Sequence, residues 1–164
     1  MDLPQRKRIR LVNYDYSQNN AYFITICTHN REMLFGSVGD DSISSRVIKE
    51  IFLRTIHQFS CVNSPKFVIM PNHFHAIIVI ERADMESAPT LSDIIQSFKR
   101  YSTIEYIKLV KNGVLPSFEN RIWQRSFHDH IIRNENEYQL IWNYIDTNPL
   151  TWQDDCFYIN KAIH

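Results

Sequence analysis

Residues 66–80 read KFVIMPNHFHAIIVI, and the fold follows from how that stretch is divided. Two apolar runs, Lys66–Met70 and His73–Ile80, flank Pro71-Asn72, a dipeptide suited to a tight turn, so the stretch predicts an antiparallel hairpin. A strand alternates its side chains with period two. His73 and His75 therefore share one face of the second strand, and Phe74 points to the other.

Working outward, Ala21–Thr28 (AYFITICT) is rich in β-branched and aromatic residues and predicts a first strand. His29–Asp41 is connective, with Gly36 and Gly39 as breakers. Ser42–Phe59 opens on a serine N-cap and places Ile43, Val47, Ile48, Ile51, Phe52, Thr55 and Ile56 at helical spacing. Beyond the hairpin, Glu81–Thr90 is polar and reads as a mobile connection. Leu91–Val110 carries Leu91, Ile94, Ile95, Phe98, Tyr101 and Ile104 on one stripe, a second helix ended by Asn112-Gly113. Ile122–Ile132 predicts a fourth strand of mixed pattern. A third helix runs from Asn134 or Glu135 to Thr147, with Tyr138, Ile141, Trp142 and Ile145 inward, and stops at Asn148-Pro149 because proline disfavours helical backbone in the residue before it.

The order β-α-β-β-α-β-α predicts an α+β protein. Its first six elements match the split βαβ, ferredoxin-like βαββαβ arrangement, an antiparallel sheet with two helices on one face. The additional C-terminal helix is left to cover or border the other face. Residues 1–164 read as a single domain with a polar N-terminal arm over about 1–20.

Composition narrows the function less than the pattern does. Lys plus Arg equals Asp plus Glu, 18 each, so a basic face has to come from clustering rather than excess. Three cysteines, Cys27, Cys61 and Cys156, suggest neither a disulfide framework nor a cysteine zinc site. The longest apolar stretch, Ala76–Ile80, is far short of a membrane span, and no apolar core follows the basic Arg6-Lys7-Arg8 and Arg10. The expected location is the cytoplasm.

Two imidazoles at i and i+2 on a strand can hold one divalent ion and leave positions for water or phosphate oxygen. Ordinary half-buried strand histidines are the plainer reading. A competing pair, His128-Asp129-His130, has a charged middle residue and suits a sheet edge or site rim. Tyr144 and Asn148, four apart, share one helix face beside the inward stripe. A free tyrosine, with a pKa near ~10, needs a polarised electrophile or a local base to act as nucleophile. Asn148 offers either a third, oxygen, ligand or a helix C-cap before proline. Lys99, Arg100, Arg121, Arg125 and Arg133, with the arm Arg6-Lys7-Arg8, are phosphate-binding candidates, although dispersed cations are usually solvated surface. Trp123-Gln124-Arg125 and Phe98-Lys99-Arg100 pair aromatics with bases, as single-strand binders do.

As a set, these residues resemble the single-tyrosine HUH transposases (U for an apolar residue) and, within them, the REP-associated tyrosine transposases. The resemblance runs through AYFITICTHNREMLFG (21–36), FVIMPNHFHAIIVI (67–80), LSDIIQSFKRYS (91–102), IWQRSFHDHIIRNENEY (122–138) and NYIDTNP (143–149). It implies His73 and His75 as metal ligands, Asn148 as a further ligand, Tyr144 as nucleophile and Mg²⁺ or Mn²⁺ as the ion. It favours the first HxH pair over the second, leaves His130 without a ligand role, and makes Tyr101 the lesser candidate nucleophile. The implied activity is nicking and rejoining of hairpin-bearing single-stranded DNA through a 5′-phosphotyrosine link, at the nucleoid. Several such relatives are dimers in which one subunit's tyrosine helix completes the other's site, while others act as monomers. Two rival readings are a non-catalytic nucleic-acid-binding module of ferredoxin-like fold, and a metal-dependent hydrolase that uses water.

Overall fold

The hairpin forms as the sequence predicts, from β2 (Val62–Met70) and β3 (His73–Ile80), with Met70 paired to His73 across the Pro71-Asn72 turn. The computed structural model describes residues 20–81 and 88–159. The expected arm, with Arg6-Lys7-Arg8, lies outside the described residues apart from Asn20, as do residues 82–87 of the expected mobile connection.

β1 (Asn20–Cys27) lies between β3 and β4 (His128–Ile132), giving a four-stranded antiparallel sheet in the order β2-β3-β1-β4. This is the ferredoxin-like α+β architecture. Register matters for the site: Thr25 of β1 pairs with His75 on one side and His128 on the other, and Cys27 pairs with His73.

α1 (Ile43–His57) is capped by Ser42, whose Oγ accepts from the Ser45 N–H at 3.2 Å. Gly36 sits against that cap with a positive φ of 80°, and a Cβ there would come within 2.7 Å of the Ser42 oxygen, so only glycine fits. α2 (Leu91–Lys111) opens on a capping box between Thr90 and Asp93 and ends at Asn112, with Gly113 beyond it at φ 71°. Both helices cover one sheet face. Ile48, Phe52, Ile95 and Phe98 meet Ile24, Ile26, Phe74 and Ile78 in the main core.

The other face is covered by α3 (Glu135–Thr147), capped by Asn134, whose Oδ1 accepts from the Glu137 N–H at 2.9 Å. Its core is much smaller: Ile145 packs with Ile77 and Ile132, flanked by Tyr138, Ile141 and Trp142. Lys66 of β2 pins the helix to the sheet edge through an ion pair with Asp146, its ammonium 5.0 Å from the centre of the Trp142 ring.

The structure corrects the sequence reading in three places. β2 begins at Val62 rather than Lys66. The fourth strand spans His128–Ile132 rather than Ile122–Ile132; upstream, Trp123 makes a single bridge to Thr28. The Gln124 and Ser126 carbonyls accept from the Lys99 ammonium at 2.8 and 2.9 Å. Asn148 also does not leave helical space before Pro149. It keeps φ −53° and ψ −42°, and the chain tightens into a 3-10 segment, Asn148–Asp154.

Candidate functional site

His73 and His75 lie on a central strand, on the face that α3 covers, with 0 and 1% of their surfaces exposed. Their ring centroids are 4.6 Å apart. Burial lowers the pKa of both well below the usual histidine value, so both imidazoles are neutral at physiological pH.

Neighbouring hydrogen bonds fix which nitrogen of His73 carries its proton. Asn72 donates from Nδ2 to the Phe157 carbonyl at 2.8 Å and toward the Arg31 carbonyl at 3.4 Å, and carbonyls only accept. The Asn72 Oδ1 therefore faces His73 Nδ1, at 2.9 Å. An amide oxygen cannot donate, so Nδ1 holds the hydrogen and Nε2 keeps its lone pair. His75 Nδ1 is similarly engaged by the Thr25 hydroxyl at 2.8 Å.

Both Nε2 atoms are buried and have no hydrogen-bond partner among the described residues, and the same is true of the Asn148 Oδ1. Buried polar atoms are rarely left this way. Asn148 stands at the C-cap of α3; its Nδ2 donates to Asp155 Oδ2 at 2.8 Å, which leaves Oδ1 without a partner among the described residues. Asp155, its side chain 2% exposed, brings Oδ2 to 3.8 Å from His73 Nε2. Candidate ligand atoms of His73, His75 and Asp155 all lie within 4.8 Å of one another. Two imidazole nitrogens, a carboxamide oxygen and a carboxylate form a donor set that fits a divalent cation.

Tyr144, on the exposed flank of α3, is 42% exposed. Its ring meets His75 edge-on at 5.4 Å and Phe23 at 5.9 Å. Burial first, then the Asp155 carboxylate, raises its pKa above the ordinary tyrosine value, so the phenol is held protonated. The segment after α3 closes over the histidines. Phe157 lies 4.6 Å and Trp152 5.7 Å from the His73 ring, and Arg31 donates to the Cys156 carbonyl at 3.2 Å.

The sequence-predicted set thus meets at one place: His73, His75, Asn148 and Tyr144 converge. The remaining candidates disperse. Lys99 is turned to backbone carbonyls, and Arg100 lies 5.9 Å from the Tyr101 ring. The Arg133 N–H donates to Glu137 at the start of α3. Arg121 and Arg125 line a separate polar pocket. Tyr101 sits on α2, across the sheet from the histidines, and His130 is paired with Glu137. Sequence reading missed Asp155, Asn72 and Thr25. The first follows a 3-10 segment with no periodicity to signal it; the other two could have been sought as polar neighbours of the histidines in the turn and across the sheet.

Residues 16–148 match the family described as Transposase IS200 like. The chain is 32% identical over 176 residues to an uncharacterized protein of Haemophilus influenzae, with 94% of each covered. It is 26% identical over 140 residues to a putative REP-associated tyrosine transposase of the same organism, covering 83% of this chain and 73% of that one. Among solved structures, a REP-associated tyrosine transposase bound to a REP hairpin aligns with TM-score 0.62 at 20% identity, over 87% of this chain and 73% of that one. A putative transposase from Deinococcus radiodurans aligns with TM-score 0.53 at 16% identity, over 84% and 95%.

Proposed function

The chain belongs to the IS200-like transposase family, and from that premise we propose that it nicks and rejoins hairpin-bearing single-stranded DNA through a 5′-phosphotyrosine on Tyr144. The observation that carries this reading is the set of three buried, unpartnered donor atoms, His73 Nε2, His75 Nε2 and Asn148 Oδ1, beside a half-exposed phenol.

His73, His75 and Asn148 would hold Mg²⁺ or Mn²⁺, with Asp155 as a fourth donor. Such an ion supplies positive charge that polarises a phosphate oxygen and eases ionisation of a nearby hydroxyl. The rest belongs to the chain. Asn72 and Thr25 hold the imidazoles in orientation. Asn148 sits four residues beyond Tyr144, so one helix face ties the phenol's position to the donor set. The Tyr144 oxygen forms its bond to phosphorus as the bond to the 3′-oxygen breaks; the phenol proton passes to water at the exposed flank, and the departing 3′-oxygen takes a proton from water to become a 3′-hydroxyl. Attack by a 3′-hydroxyl on the phosphotyrosine reverses the step and restores a diester, so no outside energy source is needed. Alignment of phenol and phosphate carries much of the acceleration.

Tyr144 stands beside His75 of its own chain, which supports a site completed within one chain over exchange of the tyrosine helix in trans. A purely RNA-recognition-like module is disfavoured because α3 covers the sheet face such modules use for stacking. The working place of such an enzyme is the nucleoid.

The test is incubation of the full chain with Mn²⁺ and labelled hairpin DNA, followed by denaturing electrophoresis. A denaturation-resistant protein–DNA adduct, lost in Tyr144→Phe and on chelation, is expected. Cleaved DNA without an adduct would transfer the reading to a water-using hydrolase, and binding without cleavage to a non-catalytic module. Mixing His75→Ala with Tyr144→Phe chains should not restore the adduct; restoration would place the tyrosine in trans.

A further inference from the structure

Beyond the donor set, one place in the described residues gathers cations without acids. His29, Arg121, Gln124, Arg125 and Ser126 line a pocket of about 340 Å³. That volume is at the small end of the range for ligand sites, roughly 300–1,000 Å³. No carboxylate lines it, and neither arginine has an ion-pair partner among the described residues. In a chain whose formal charge sums to zero, two unpaired guanidiniums around one cavity are the clustering that a polyanion partner requires.

The pocket is built into the fold and joined to the histidine strand. The Gln124 N–H donates to the Cys27 carbonyl at 2.9 Å, and the His29 N–H to the Ile122 carbonyl at 2.7 Å. On its other side, the end of β1 pairs Cys27 with His73 and sends the Thr28 N–H to the Asn72 carbonyl at 2.9 Å. Strand neighbours lie about 4.8 Å apart, so the Gln124 backbone at the pocket wall is two such steps, roughly 10 Å, from the histidine strand. Lys99 holds the pocket wall through the Gln124 and Ser126 carbonyls, fixing the loop and adding positive charge beside it.

We infer that this pocket is a backbone-phosphate subsite for the DNA strand, with Arg121 and Arg125 clasping a phosphate next to the one at Tyr144 and Gln124 and His29 donating to its oxygens or to the sugar. The inference rests on the proposed DNA chemistry, because it assigns the path the strand takes as it leaves the donor set. Guanidinium forks match phosphate oxygens geometrically. Contacts of this kind position a strand without reading its sequence, so the subsite acts alike on unrelated sequences.

The experiment measures binding of the full chain, in chelator, to two labelled hairpins of unrelated sequence with single-stranded tails. Fluorescence anisotropy is followed between about 50 and 200 mM salt. Arg121→Ala and Arg125→Ala are each expected to weaken both hairpins equally. Each should also reduce the slope of log affinity against log salt by about 0.7–0.9, one phosphate contact's worth. Arg125→Lys should retain the wild-type slope. Arg54→Ala, which removes an arginine already paired with Glu50 on α1, should change nothing. Unchanged slopes in both pocket variants, or an equal drop in Arg54→Ala, overturn the subsite. If those slopes are unchanged while the wild-type chain still forms the Tyr144 adduct, the subsite alone is lost. If the wild-type chain binds with the expected slopes but forms no adduct, the transesterase reading alone is lost. A wild-type chain that binds neither hairpin removes both.

Discussion

Two His-x-His pairs lie on the same sheet in matching register. His75 and His128 both pair with Thr25 of β1, from opposite sides, so alternation turns both pairs toward the α3 face. Their surroundings differ completely. His73 and His75 are on a central strand, buried, with Nδ1 atoms engaged and Nε2 atoms unpartnered. His128 and His130 are on an edge strand and exposed, and His130 Nε2 is already bound to Glu137. Spacing is equal in the two pairs; strand position separates a donor site from a helix clasp.

The middle residues should give the largest contrast. Phe74 packs against Phe52, Phe67 and Phe98, with ring centroids at 4.6, 5.9 and 5.4 Å. Phe74→Ala is expected to cost about 3–5 kcal/mol in chemical denaturation, several times the cost of Asp129→Ala on the edge strand. Equal losses would mean that the central strand is not the better packed.

Next comes the ion itself. His75→Ala should lower Mn²⁺ affinity by more than about 100-fold in calorimetric titration, since even second-shell changes cost about 10–100-fold. His128→Ala and His130→Ala should leave it unchanged. A comparable loss in His130→Ala would erase the distinction drawn here.

Thr25 sharpens the comparison because it stands between the two pairs. Thr25→Val keeps its shape but removes the hydroxyl that engages His75 Nδ1, at an expected cost of about 1–3 kcal/mol of stability and about tenfold in Mn²⁺ affinity. No loss of affinity would show that the hydroxyl does not orient the imidazole.

The smallest effect belongs to the edge pair. The Arg133 N–H first, and then His130, holds the Glu137 carboxyl below the usual carboxylate range. A depressed folded pKa contributes stability above the unfolded value, about 4.3, and that stability is lost as pH falls through the lower folded value. Glu137→Gln should therefore melt slightly below wild type at pH 7, and the gap should close in acid. A gap that persists at low pH would remove ionisation from the account.

Local pattern made most of the scaffold legible. The hairpin, both covering helices and α3 begin and end within a few residues of where turn chemistry, caps and periodicity put them. The misreadings have physical causes. β2 starts earlier than Lys66 because an edge strand tolerates Pro65, with an irregular register between Asn63 and Lys66. β4 starts later because upstream of His128 the chain keeps only the isolated Thr28–Trp123 bridge just past the end of β1, and residues 122–127 hold no Pro or Gly to mark the break. Around the donor set, His73, His75, Tyr144 and Asn148 could be picked out from strand and helix spacing together with the family resemblance. Asp155 could not, because its position depends on how a 3-10 segment folds back, and no side-chain period records that.

The modest cluster beneath α3 has a dynamic consequence. With Ile145 as its one fully buried side chain and an ion pair at the sheet edge as a clamp, this helix has far less holding it than α1 or α2. Local opening free energies follow such differences, so its amides should exchange with deuterium well before those of the central strands. In the proposed reaction Tyr144 would then ride on the most easily lifted of the three described α-helices, giving a long, branched polymer a way in and out without unfolding the sheet beneath it.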